Sequence, residues 1–238
     1  MSKLYEAAQH AGLDLGAQSV ISSARGAVAL EDRLRTVPEL VNLYYLIQSM
    51  RAPDRPLVVQ FMAATPREGT SSIARGFAEV ATHQPGGRVL LAACGGVQAD
   101  AHGRGAHLSL AAAVKGDHPL ESAVAVVPTN PSLDTARLSD AAHPLLDLDA
   151  TSLVKLFDAV RGTYDITVLD CAAGGPNPDS VALSRFCDGT ILVIRAETVR
   201  SQVVEAVRRS IERSGGNIVG AVLNGRRRYI PSWLYKLL

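Results

Sequence analysis

An apolar run, Val58-Val59-Gln60-Phe61-Met62-Ala63, enters a tight turn, Ala64-Thr65-Pro66-Arg67-Glu68-Gly69, and leaves it as the helix-forming stretch Thr70-Ser71-Ser72-Ile73-Ala74. A strand–turn–helix joint of this kind does phosphate chemistry, because successive backbone N–H groups and the positive end of the helix face an anion. The full signature, G-x-x-x-x-G-K-[ST], adds a lysine on the phosphates and a hydroxyl on magnesium. Here Ala64 stands at the first glycine position and Thr70 at the lysine position, while Ser71 keeps the hydroxyl. The candidate nucleotide contacts are therefore Pro66, Arg67, Gly69, Thr70, Ser71 and Ser72. The joint survives without its charge.

Two arginines stand close enough in sequence to replace that charge. Arg67 lies in the turn and is placed to reach a phosphate; Arg75, one turn into the helix, is expected to face solvent. The plain alternative makes both of them surface residues. Further along, Asp170 ends the apolar run Ile166-Thr167-Val168-Leu169, a position at which a parallel sheet offers a carboxylate to a metal's water shell. Ser71 and Asp170 are the candidate magnesium ligands. Asp170 also reads as a strand-end residue with only a structural role. Asn224 closes the run Ile218–Leu223, where turn chemistry alone would also select asparagine.

Other chemistry is poorly supported. Cys94, Cys171 and Cys187 are odd in number and far apart, with no C-x-x-C pair or Cys/His ligand spacing, so buried reduced thiols are expected rather than a zinc site. The six histidines lie in polar or loop-like surroundings without an evident catalytic partner. A net charge of +1 gives no global field for nucleic acid or an acidic membrane surface. No apolar run approaches the roughly 20 residues that a bilayer crossing needs, and the first residues lack the plan of a secretory signal. A cytoplasmic protein is the expectation.

The elements that must hold these residues follow from periodicity. The chain has 238 residues, 47% hydrophobic and 20% charged, enough for one sizeable α/β core. Residues 1–36 lack a sustained period, apart from a short helix around Leu4–His10, and are expected to form a loosely held arm. A helix is expected from Pro38, then a strand Leu57–Ala63, a helix Ser71–His83 and a strand Arg88–Ala93. Gly95–Gly105 reads as a loop, Leu108–Val114 as a short helix, Pro119–Ala123 as a helical turn, and Val124–Val127 and Ser132–Leu138 as strands. Ala150–Arg161, Ser180–Phe186 and Ser201–Arg213 are helices alternating with strands Ile166–Leu169, Gly189–Ile194 and Ile218–Leu223. Strands alternating with helices at this spacing predict an α/β fold, a doubly wound and mostly parallel sheet, over residues 37–225. The tail 226–238 is distinct, with three arginines followed by Tyr229, Pro231, Trp233 and Tyr235.

Several stretches, in order from about Pro38 to Leu238, together resemble the bacterial tyrosine kinases of capsule and exopolysaccharide synthesis (BY-kinases, CpsD/CapB type), within the MinD/ParA-like P-loop NTPase group. Thr65-Pro66-Arg67-Glu68-Gly69-Thr70-Ser71-Ser72 sits where the family writes P-G-E-G-K-[ST]-[ST]. Leu108-Ser109-Leu110 through Gly116-Asp117-His118-Pro119-Leu120-Glu121 is similar to its L-S-x-x-L-x-G…L-E segment. Tyr164-Asp165-Ile166-Thr167-Val168-Leu169-Asp170 is similar to the Walker B strand, and Gly220-Ala221-Val222-Leu223-Asn224 to a G-x-V-L-N strand whose asparagine lies near the nucleotide base. Tyr229 and Tyr235 resemble the remains of an autophosphorylated tyrosine cluster.

The departures from the family are concentrated in its chemistry. Thr70 replaces the lysine, and the Walker A′ aspartates are Ala93 and Gly95. The Pro-Pro after the Walker B aspartate is Ala172-Ala173. In the ring-forming E-x-x-R-x-x-R helix Glu39 is kept, but Asn42 and Tyr45 replace both arginines. The resemblance then implies a kinase-like regulatory or assembly subunit, a pseudokinase of exopolysaccharide, capsule or holdfast biosynthesis. It would hold ATP or ADP with Mg2+ weakly or not at all. Its implied partners are a membrane polysaccharide co-polymerase of the Wzz type, which would recruit it to the inner membrane, and copies of the chain itself, with no nucleic acid. The alternatives are an active tyrosine autokinase with an atypical phosphate site and a ParA/MinD-like positioning ATPase.

Overall fold

The computed structural model describes residues 38–50, 55–84, 87–95, 108–141 and 143–225. The expected arm over 1–36 with its helix at Leu4–His10, most of the Gly95–Gly105 loop, and the tail with Tyr229 and Tyr235 lie outside those residues.

Seven strands form one sheet in the order β3-β4-β2-β5-β1-β6-β7. They are β1 (Leu57–Ala63), β2 (Val89–Cys94), β3 (Val124–Val127), β4 (Asn130–Arg137), β5 (Ile166–Cys171), β6 (Gly189–Arg195) and β7 (Ile218–Asn224). Only the β3–β4 pair is antiparallel; every other pairing is parallel. The helices are α1 (Pro38–Ser49), α2 (Thr70–Ala81), α3 (Leu110–Lys115), α4 (Pro144–Asp147), α5 (Ala150–Thr163), α6 (Pro178–Leu183) and α7 (Ser201–Arg213). The doubly wound sheet expected from the alternation is thus present.

β1 is buried along its whole length, as a central strand covered on both faces must be. Its alternate residues feed two cores. Val59 and Phe61 meet Leu40, Leu43 and Ile47 of α1 and Ile73, Phe77 and Val80 of α2 on one face. Val58 and Met62 meet Leu153, Leu156 and Val160 of α5, with Val181, Val207 and Ile211, on the other. The Phe61 and Phe77 rings stand 5.2 Å apart, a tilted pair that seats α2 on the sheet.

The polar exception in β1, Gln60, is completely buried and completely satisfied. Its Nε2 donates to the Ser180 carbonyl at 2.6 Å and to the Cys171 sulfur at 3.2 Å, and its Oε1 accepts from Thr190 Oγ1 at 3.0 Å. A buried amide is tolerated only with such partners, so Gln60 fixes β1, β6 and α6 in one register.

Charged clamps occupy the amino-terminal half of the sheet. Asp188 Oδ2 accepts from the Val58 amide at 2.8 Å and from Arg161 Nη1 at 2.7 Å, and Arg161 also donates to the carbonyls of Pro56 and Phe186. Asp134 accepts from Tyr164 Oη at 2.8 Å and Arg88 Nη2 at 3.0 Å. The opposite, carboxyl-terminal edge is left for the turn after β1 and for Gly95, Asp170, Arg195 and Asn224. The chain leaves β1 towards β2 on one side and reaches β6 on the other, so this edge carries the crevice where open α/β sheets bind ligands.

Candidate functional site

The turn after β1 is closed by its own acidic residue. Glu68 is only 2% exposed. Its Oε1 accepts from the Thr65 amide at 2.5 Å and the Thr65 hydroxyl at 2.9 Å, and its Oε2 accepts from the Arg195 amide at 2.7 Å. The Glu68 carbonyl takes the Asn224 side-chain amide at 2.8 Å. Pro66 and Arg67 stand at the exposed tip. Arg67 adopts φ 67° and Gly69 φ 91°, the left-handed region, and Gly69 hands the chain into α2.

Gly69 is required on two grounds. Its φ suits glycine alone, and a Cβ there would lie 2.2 Å from Asn224 Nδ2. Gly69→Ala is expected to cost about 2 kcal/mol of stability, read as a lowered urea midpoint with unchanged slope. An unchanged midpoint would show that the turn relaxes freely around Asn224.

At the start of α2, Thr70 and Ser71 are half-buried and Ser72 is exposed. Ser71 lies near enough to Asp170 to favour its charged form, so the two candidate magnesium ligands are neighbours. Burial pushes Asp170 up from the ordinary carboxylate range to about 6, while Ser71 and the charge of Arg75 pull the other way. Arg75, expected to face solvent, is half-buried, and its charge reaches Asp170. Arg67 keeps its expected place in the turn, but its exposed side chain is at the tip.

Asp170 is the lone carboxylate of its row. Its register partners are Phe61 on β1 and Ala93 on β2, so an aspartate at Ala93 would have stood beside it. Gly95, where the resemblance expects a second aspartate, has φ 141°. One hydroxyl and one desolvated carboxylate are a partial fit to magnesium, which takes one or two carboxylates together with phosphate oxygens.

Asn224 does more than cap a turn. It is bonded to the phosphate turn through Glu68, and its Oδ1 is buried without a partner. Arg195, which the sequence did not single out, donates from Nη1 to the Arg67 carbonyl at 3.4 Å and passes beside Gly225. Neither Glu68 nor Arg195 was accessible to motif reading as a turn partner. The available signal was an unpaired acid inside an anion-binding turn, which demands donors from somewhere.

The cysteines are less dispersed in space than in sequence. Cys94 and Cys171 are register partners on β2 and β5; the neighbouring Cys171 thiol and burial push the Cys94 thiol well up. Burial likewise raises Cys187. All three are free thiols; Cys94 and Cys171 are buried as expected, and Cys187 is half-buried. His143 has its Nδ1 3.6 Å from Asp179 on α6.

A phosphate-type turn after the central strand of a doubly wound sheet, with a carboxylate at the end of the neighbouring strand, defines a P-loop fold. No family model matches the chain. Tyrosine-protein kinase CpsD of Streptococcus agalactiae serotype III is 30% identical over 70 residues, a stretch covering 29% of this chain and 30% of that protein. The chain thus matches less than a third of that relative's length. Among solved structures, the chimerical protein CapA2B2 has a TM-score of 0.74 at 18% identity over 92% of this chain and 99% of that one. The kinase domain of the Escherichia coli tyrosine kinase ETK has a TM-score of 0.70 at 18% identity over 88% and 85%. More distant is the cobyrinic acid a,c-diamide synthase of Mycobacterium smegmatis, solved with an ATP analogue and magnesium, with a TM-score of 0.53 at 18% identity over 70% and 72%. The chain shares the fold of these kinase domains, and a 70-residue stretch of it is similar to CpsD. Among the described residues no helix is long and apolar enough to cross a membrane.

Proposed function

We propose that the chain is a pseudokinase, a regulatory or assembly subunit of capsule, exopolysaccharide or holdfast biosynthesis and export. The observation that carries this reading is the register of Asp170. Asp170, with Ser71 nearby to favour its charged form, would steady magnesium, while the adjoining position is Ala93 and the turn contains no lysine. Phosphoryl transfer depends on neutralising charge on the transferred group and on fixed metals. A scaffold that keeps the cradle and loses the counter-charge and metal carboxylates suits occupancy better than turnover.

In this reading ATP or ADP with Mg2+ is the ligand, held weakly. Backbone amides of the turn and Ser71 receive phosphate, Asp170 orients the metal's water shell, and Asn224 and Arg195 border the turn. The partner is a Wzz-type membrane polysaccharide co-polymerase at the cytoplasmic face of the inner membrane, met through the tail with Trp233. Incubation with magnesium-ATP followed by phosphotyrosine detection is expected to leave Tyr229 and Tyr235 unlabelled, and calorimetry to show weak binding. Robust labelling of either tyrosine would turn the reading to an autokinase with an atypical phosphate site.

A further inference from the structure

We propose that Glu68 joins the phosphate turn to the end of β7 in one coupled unit, so that a phosphate group entering the turn is read out at Asn224–Gly225, the root of the C-terminal segment. The readout of nucleotide rests on the functional reading above; the coupling itself does not.

The first part of the argument is the role of the Glu68 carboxylate. An anion-binding turn without a bound anion leaves backbone donors aimed at one place. Here one amide of the turn, that of Thr65, is taken by the turn's own carboxylate. Both carboxylate oxygens of Glu68 are engaged, one by the Thr65 amide and hydroxyl and the other by the Arg195 amide at the end of β6. A ligand phosphate is chemically the same kind of acceptor as this carboxylate. It repels Glu68 and competes for the donors of the turn, and any displacement of Glu68 releases Arg195.

The second part is the absence of slack between Glu68 and β7. The Glu68 carbonyl holds the Asn224 amide at 2.8 Å, and the Asn224 carbonyl in turn accepts from the Ala196 amide at 2.8 Å. The last residue of β7 is therefore fastened to the phosphate turn on one side and to the β6 turn on the other. Asn224 Nδ2 occupies the space a side chain at Gly69 would need, 2.2 Å from its Cβ position, so the Asn224 amide lies against the backbone of the turn at Gly69. Close-packed contacts of this kind transmit displacement instead of absorbing it.

The third part is that the arrangement has an unmet demand. Asn224 Oδ1 is buried with no partner, a cost that a second arrangement of the amide could relieve. Gly225 follows at φ 70°, beside the Arg195 side chain that reaches Arg67. A glycine in the left-handed region at this junction lets the chain redirect where its neighbour is locked. An element with two arrangements, biased from one site and read at another, is the minimum that coupling requires.

The test is residue-resolved hydrogen exchange on the full chain, first without any ligand. Glu68→Gln keeps the length and one acceptor but turns a donor towards the Arg195 amide. Exchange at Arg195 and at residues 222–225 is expected to quicken at least about tenfold, with β3 and β4 unchanged. Asn224→Ala, which removes the donor to the Glu68 carbonyl, is expected to quicken exchange at Arg195, whose amide the Glu68 carboxylate holds. Unchanged rates at these positions, or equal acceleration across the whole sheet, overturn the coupling, and the Asn224 variant decides alone if the Glu68 variant does not fold. In the second arm magnesium-ADP is added at a concentration set by calorimetry. Changed exchange at 222–225 in the wild type, lost in Asn224→Ala, supports the readout, and unchanged exchange despite measured binding overturns it. No heat of binding overturns the readout together with the nucleotide reading and leaves the ligand-free arm to judge the coupling.

Discussion

Asp170→Asn is expected to make the protein more stable at neutral pH, by about 2 to 3 kcal/mol. Asp170 is 7% exposed, and burial lifts it to about 6 against an ordinary 3.8. Because the folded value is the higher one, the native state binds this proton more tightly than the unfolded chain. Stability contributed by the protonated form is complete below about pH 4 and is lost as pH rises to about 6. Above that window the charged carboxylate stays buried at full cost, with Ser71 and the charge of Arg75 as partial compensation. Asparagine reproduces the protonated form in shape, so the gain should appear at pH 7.5 and vanish near pH 4. Urea unfolding at the two pH values measures it, and a variant less stable at pH 7.5, or a gap independent of pH, would refute the assignment. Millimolar magnesium should narrow the difference, because only the carboxylate gains from a cation.

That result would also separate fold from site. A residue that costs stability where it stands is not there to hold the sheet together, and strained or desolvated groups collect where a ligand relieves them. The plain alternative from the sequence, Asp170 as a structural strand-end residue, predicts the opposite sign.

The sequence carried the architecture because each element was periodic over enough residues. The Leu153, Leu156, Phe157 and Val160 face of α5 and the unbroken burial of β1 appear where hydrophobic spacing placed them. Limits moved where a cap or a register decided them. α2 begins at Thr70, one residue earlier than its small-residue pattern suggested, because Gly69 turns left-handed before it. β5 continues through Asp170 to Cys171, because Ala93 and Cys94 of β2 pair with those residues. The four residues of α4 were missed, since one turn has no period to detect. In the site, Ser71 and Asp170 could be paired from motif order alone. Glu68 with Arg195, Arg75 with Asp170, and Cys94 with Cys171 could not, because each pairing depends on which strand lies beside which.

Restoring charge to the turn is expected to restore affinity without restoring transfer. Thr70→Lys places an ammonium at the first residue of α2, where it can lie over the turn, and should tighten magnesium-ATP binding about tenfold, or about 1.4 kcal/mol. Adding Ala93→Asp sets a second carboxylate beside Asp170 in the register of β2 and β5. Without metal the two like charges oppose each other's ionisation and destabilise the protein; with magnesium they share it, and the pair of changes should bring the gain to about a hundredfold. The remaining position resists. Gly95 stands at φ 141°, a conformation L side chains rarely adopt, although Ala172 and Asn177 leave ordinary contact distances of 3.6 and 3.7 Å around a Cβ. An aspartate there is blocked by backbone conformation rather than by lack of room, so the second lost carboxylate cannot be returned by side-chain exchange alone. Calorimetry and phosphotyrosine detection on the Thr70→Lys/Ala93→Asp protein should therefore diverge, with tight binding and unlabelled Tyr229 and Tyr235. Labelling in that variant would show that Gly95 is dispensable, and unchanged affinity in Thr70→Lys would show that the turn does not receive phosphate.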